Sequence, residues 1–165
     1  RGCGMTIGSG ASATLNGVTV WGNVSGLEGG GIKVSMATVD ISFSNVYGNI
    51  PDNYYGIPDP TGVDGNISVD PLFTNTLPSD PMDWDLHLDV GSQQIDAGDP
   101  ALSDPDGSIP DIGAYGGAFA GQWDLDGDGY YEWWQPGPYD NANYPGEGWD
   151  CDDRDADVFP GNGCP

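Results

Sequence analysis

Two runs of aspartate carry the most specific chemistry in this sequence. Asp124, Asp126 and Asp128 stand at alternate positions of a stretch broken by Gly127 and Gly129, and Asp150, Asp152, Asp153, Asp155 and Asp157 crowd a second stretch shortly after. Side chains at alternate positions of a tight, glycine-broken loop converge on one point, and hard oxygens converging in numbers of roughly six to eight are what Ca2+ takes. The first run fits the first, third and fifth positions of an EF-hand-like loop, with Gly129 at the sharp turn and the carbonyl of Tyr130 as the next ligand. The closing bidentate Glu is missing. Gln135 stands in its place, and Pro136 and Pro138 bar an exiting helix. The second run is the evident donor of the missing carboxylates, so one ion is expected to bridge the two runs. Asp153, Asp155 and Asp157 repeat the spacing with the carbonyl of Phe159, which makes a second ion plausible. The competing reading is a solvated acidic loop that binds nothing, but Asp side chains crowded this closely repel unless a cation compensates them.

Cys151 and Cys164 flank the second run, and a disulfide between them is expected to clamp its ligands, with a stabilisation of about 3 kcal/mol on the chain-entropy model. Cys3 is then left over, either a buried thiol or half of a bond to another chain. Asp104, Asp106, Gly107 and Asp111 could form another cation site, although Asp-Gly and Pro-Asp are ordinary turn chemistry. His87 alternates with Leu86 and Leu88 along a strand-like pattern and reads as a surface residue. Trp123, Trp133, Trp134 and Trp149, with Tyr130, Tyr131, Tyr139 and Tyr144, gather around the acidic runs. They are expected to pack the small domain, with sugar stacking as the alternative.

Charge narrows the partners. Lys plus Arg number 3 against 26 Asp plus Glu, a formal net charge of -23 on 165 residues, so neither nucleic acid nor an anionic membrane surface suits the chain. A disordered acidic chain has few aromatics, whereas this one has 6 Trp, 8 Tyr and 4 Phe, and it should fold once its acid is neutralised. No apolar run is long enough to span a membrane and no leader pattern precedes Arg1, which suggests a processed or truncated product without membrane insertion. Cysteines and calcium-type loops favour an extracellular or cell-surface setting. The sequons at Asn23 and Asn66 are compatible with that but carry little weight, since such strings arise readily by chance in an Asn- and Ser-rich chain.

The elements before the acidic segment repeat. Gly2 to Ile7 matches Gly29 to Val34, Ala13-Thr14-Leu15 matches Ala37-Thr38-Val39, and Val20-Trp21-Gly22-Asn23 matches Val46-Tyr47-Gly48-Asn49. Period-two apolar alternation inside each copy is of strand type, with Gly or Asn at the corners. Three short strands per repeat describe a coil whose successive turns pair as parallel strands about 4.8 Å apart. In such a coil Asn23 and Asn49 sit at equivalent corners, their amides bonding along the stack. An antiparallel sandwich with coincidental repeats is the competing arrangement. Two clear repeats are fewer than a free-standing solenoid needs, so further turns upstream or another molecule are expected to cover the first one, and head-to-tail self-association into a filament is one outcome.

Residues 2–119 resemble the C-terminal end of bacterial right-handed parallel β-helix proteins of the pectin-lyase-like class. The likeness rests on the glycine-led repeats, on Ile67 to Phe73, on Asp85 to Leu88 followed by Gly91 to Pro100, and on Asp104 to Gly117. Asp124 to Gly161 resembles a metal-binding motif of bacterial surface proteins, with the logic of thrombospondin type 3 and dockerin loops. The resemblances imply an all-β right-handed parallel β-helix (solenoid) over 1–120 and a small disulfide-clamped calcium-binding domain over 121–165. They imply an extracellular structural or adhesive protein. The alternatives are a polysaccharide lyase or hydrolase and a carbohydrate-binding module with a glycan partner. A lyase needs a base and positive charge at its reacting centre, and Arg1, Lys33 and Arg154 stand where neither is well supplied. No catalytic centre is therefore expected.

Overall fold

The computed structural model describes residues 3–26, 28–77, 84–104 and 107–117. The expected boundary at 120/121 and the whole of 121–165 lie outside these residues. Among the described residues the chain is all-β, with no helix: β1 (Met5–Ile7), β2 (Ser12–Asn16), β3 (Thr19–Trp21), β4 (Ile32–Val34), β5 (Thr38–Ser42), β6 (Asn45–Tyr47), β7 (Tyr54–Tyr55), β8 (Phe73–Asn75) and β9 (Asp85–Leu88). The strands are short because glycines and polar corner residues interrupt every apolar run. Gly10, Gly17, Gly22 and Gly48 turn those corners at positive φ, where other residues are strained.

The strands pair across the sequence repeat. β1 lies parallel to β4 with Met5 opposite Ile32, β2 to β5 with Ser12 opposite Thr38, and β3 to β6 with Thr19 opposite Asn45. The offset is 27 residues in the first pair and 26 in the other two. Two of the three expected matches therefore hold in register, and the middle one does not. Ala13 faces Val39 rather than Ala37, and Leu15 faces Ile41. A slip of two residues leaves every side chain on its original face, so alternation alone could not separate the two registers. Packing separates them, because the observed register brings Leu15 beside the buried Ile41.

Inward side chains of the three pairs meet in one core, made of Ile7, Val20, Ile32, Val34, Ile41 and Val46, with Met5, Ala13, Leu15 and Val39 packed against it. Each buried aliphatic side chain contributes roughly 1.5–3 kcal/mol relative to exposure. A third, shorter level follows that the repeat search misses. β7 pairs parallel with β4, Tyr54 opposite Ile32, Ile67 bridges to Asn45, and the Phe43 amide donates to the Asp64 carbonyl at 2.9 Å. Its offset from the second level shrinks to 22 residues, and Pro58, Pro60 and the turn held by Asp59 stand where a middle strand would run. Beyond it the direction changes. β8 and β9 are antiparallel, so these two strands add no further parallel level.

Candidate functional site

All the sequence-predicted metal ligands, Asp124, Asp126, Asp128, Tyr130, Asp150, Asp152, Asp153, Asp155, Asp157 and Phe159, and the expected Cys151–Cys164 disulfide lie outside the described residues. Among the described residues no group of three or more His, Cys, Asp or Glu side chains is placed to hold a metal ion. Asp104 and Asp111 form a turn network. Asp104 accepts from the backbone N–H of Asp111 at 3.2 Å and from that of Gly117, and Asp111 accepts from the N–H of Asp96 at 2.9 Å. Their oxygens tie Asp96, Asp111 and Gly117 together as the turn reading expects, while Asp106, the other carboxylate of that candidate cation site, lies outside the described residues. Cys3 is half-buried, its sulfur 2.6 Å from the Thr6 hydroxyl.

His87 departs from the surface reading. It is 3% exposed, its ring stacked on Tyr115 with centroids 4.1 Å apart and planes within 9°. The cover belongs to β9, since Thr74 and Asn75 of β8 are exposed. Leu86 and Leu88 line a cavity, and the closing segment brings Tyr115 onto His87. Strand alternation marks which residues share a face, and it does not say that both faces are buried.

The corners of the parallel levels are held by side-chain amides. Asn49 Oδ1 accepts from the backbone N–H of Asn23 at 2.9 Å and from its amide at 3.0 Å, while the Asn49 amide donates to the carbonyl of Val20 at 2.9 Å and to Asn53 Oδ1 at 3.1 Å. The stack of Asn23 on Asn49 is the one expected from sequence. Asn53 continues it without a sequence repeat to announce it. Gly4 and Gly31 are the partners of this stack. A Cβ on Gly4 would stand 2.6 Å from the Asn23 amide, and one on Gly31 would stand 2.3 Å from the Asn53 carbonyl. At a second corner the Ser44 hydroxyl accepts from the Val18 N–H at 3.2 Å, and Asn66, 2% exposed, accepts from the Ser44 N–H at 3.1 Å and donates to the carbonyls of Ile41 and Val63.

The outer face of β3 and β6 carries a buried polar cluster. Gln94, fully buried, accepts through Oε1 from the Thr19 hydroxyl at 2.6 Å and from the Asn45 amide at 2.9 Å, and Asn45 exchanges two bonds with the backbone of Val69. Gln94 thereby fixes the segment 92–112 against the first two levels, with the Ile112 N–H donating to its carbonyl at 2.9 Å. Sequence reasoning missed this residue because a lone Gln in a loop gives no signal of burial. Gln94 Nε2 and the Tyr54 hydroxyl are buried without a hydrogen-bond partner among the described residues. Burial pushes the Tyr54 hydroxyl up to about 12, and the nearby charge of Asp59 adds to the shift. On the surface Lys33 pairs with Glu28 at 3.2 Å and lies 5.2 Å from the centre of the Tyr55 ring. A hydrogen bond to Glu28 raises the Tyr55 hydroxyl above its ordinary range.

Beside this cluster a half-open cavity of about 550 Å3 lies between the first level, the hairpin β8–β9 and the segment 111–115. Trp21, Phe73, Trp84 and Tyr115 line it, with Asp111 at its wall. Trp21 meets Phe73 edge-on at 5.4 Å and Trp84 at 6.0 Å, so its ring organises the other two. The Gly113 N–H donates to the Gly17 carbonyl at 3.0 Å and ties the far wall to the first level. Compared with known proteins, the chain matches no protein-family model, and no curated protein or solved structure matches it.

Proposed function

We propose that this chain is part of an extracellular structural or adhesive rod, a right-handed parallel β-helix whose C-terminal segment binds Ca2+. The observation that carries the rod is the offset of 26 to 27 residues between three parallel strand pairs that share one core and one asparagine stack. Such a repeat transmits load along a ladder of backbone bonds and requires no reacting group. The calcium reading rests on the spacing of Asp124, Asp126 and Asp128 and of the Asp150 to Asp157 run, and on a net charge of -23 that favours cation uptake. A disulfide between Cys151 and Cys164 belongs to the same proposal, as do a cell-surface location and head-to-tail association into filaments.

Calorimetric titration of the full chain with Ca2+ tests the proposal directly. Saturable binding of at least one ion is expected, weakened tenfold or more by Asp126→Asn together with Asp128→Asn. Heat no larger than that of dilution overturns the calcium reading. Depolymerisation of a uronate polymer by the pure protein, abolished by one substitution, would make it an enzyme instead.

A further inference from the structure

We propose that the aromatic cavity between β3, the hairpin β8–β9 and the segment 111–115 binds a small organic ammonium cation, an amine carrying methyl or other alkyl groups. Four aromatic side chains from three separate segments, Trp21, Phe73, Trp84 and Tyr115, border one space of about 550 Å3, within the range of roughly 300–1,000 Å3 that small-molecule sites occupy. Aromatic faces are the negative pole of the ring quadrupole. They attract a cation whose hydration shell is weak enough to be removed, and alkylated ammonium groups fit that description. Asp111, a residue of the same wall, supplies a formal charge of opposite sign to the cation.

Three further observations select this class over others. Lys33 is the single Lys or Arg among the described residues, and it belongs to β4 rather than to the cavity wall, so an anionic ligand finds no counter-charge there. The chain's net charge of -23 repels anions and concentrates cations around the molecule. Two directional polar groups at the wall are already engaged. The Thr19 hydroxyl donates to Gln94 at 2.6 Å, and the Asn23 amide donates to Asn49 at 3.0 Å. A ligand read through many hydroxyl groups would need such donors and acceptors unengaged, whereas cation–π attraction needs only ring surface. This site is independent of the calcium reading, since none of its residues belongs to the Asp124 to Asp157 segment.

The test uses the full chain in saturating Ca2+, so that the acidic runs do not compete for the probe. Choline and its uncharged isostere 3,3-dimethylbutan-1-ol are titrated by calorimetry and by ligand-observed NMR. Choline should bind at least tenfold more tightly than the isostere, the ratio expected when ring faces act on a desolvated charge. Asp111→Asn keeps an oxygen acceptor for the Asp96 N–H, and it should weaken choline about fivefold while leaving the isostere unchanged. Equal affinity for both probes would mean a merely apolar cavity and overturns the proposal, as does an absence of choline binding or undiminished binding by Asp111→Asn. Should that variant fail to fold, Tyr115→Leu replaces it, and the preference for choline over the isostere must fall at least threefold for the proposal to stand.

Discussion

Gly31 and Gly8 present the same residue in two opposite settings. A methyl group at Gly31 would press on the Asn53 carbonyl at 2.3 Å and on the Asn49 amide at 3.0 Å, while one at Gly8 meets nothing within 4 Å. Gly31→Ala is therefore expected to destabilise the chain by roughly 1–3 kcal/mol, and Gly8→Ala by no more than about 0.5 kcal/mol, read as shifts of the urea midpoint at constant slope. Tyr54 makes a second residue-scale case, because its hydroxyl is buried without a partner and lies at about 12 against an ordinary 10.0. A tyrosine whose folded value exceeds its unfolded one contributes stability that is fully present below pH 10.0 and is lost as pH rises toward about 12. Denaturation between these limits should show that loss in the native chain and a smaller one in Tyr54→Phe. The same substitution removes an unsatisfied buried group, so at neutral pH it should leave stability unchanged or raise it by about 1 kcal/mol.

At the scale of elements, β4 has strand partners on both edges, β1 on one side and β7 on the other. The Ile32 N–H donates to the Asn53 carbonyl at 2.8 Å, and the Val46 N–H donates to the Ile67 carbonyl at 3.3 Å. Hydrogen exchange should find these two amides among the slowest. The Gly107 amide, closed on the Asp104 carbonyl in a turn, should exchange at least a hundredfold faster. Equal rates would mean that the third level opens as readily as a surface turn. Parallel pairing and the Asn23–Asn49 corner were legible in the sequence, because apolar alternation and a recurring Gly-Asn fix both the face and the turn. The middle register was not, since a two-residue slip preserves the alternation. The third level was hidden by Pro58 and Pro60, which replace a strand without removing the pairing on either side of it. His87 was misread for a related reason, because its cover comes from Tyr115, 28 residues later, and no local pattern encodes so distant a partner. The aromatic cavity was equally illegible, since its rings belong to segments that only the folded chain brings together.

For the molecule as a whole, 26 acidic against 3 basic side chains make self-repulsion the main electrostatic term opposing the compact state. Raising NaCl from about 0.05 M to about 0.5 M shortens the Debye length severalfold, and the melting temperature should rise by several degrees. If the proposed loops hold calcium, millimolar CaCl2 should raise it further than NaCl of equal ionic strength, and a chelator should reverse the gain. No difference between the two salts would leave screening as the whole effect. The buried corner at Asn66 also bears on how the chain can be manufactured. Asn66-Ile67-Ser68 is an acceptor string for N-linked sugar, yet its amide is enclosed and donates to Ile41 and Val63 in the folded chain. A secretory host that attaches oligosaccharide to the nascent polypeptide would install it before that corner closes, and the modified chain could not then complete its second and third levels. Production for study accordingly belongs in a host without that pathway, or with Ser68 replaced.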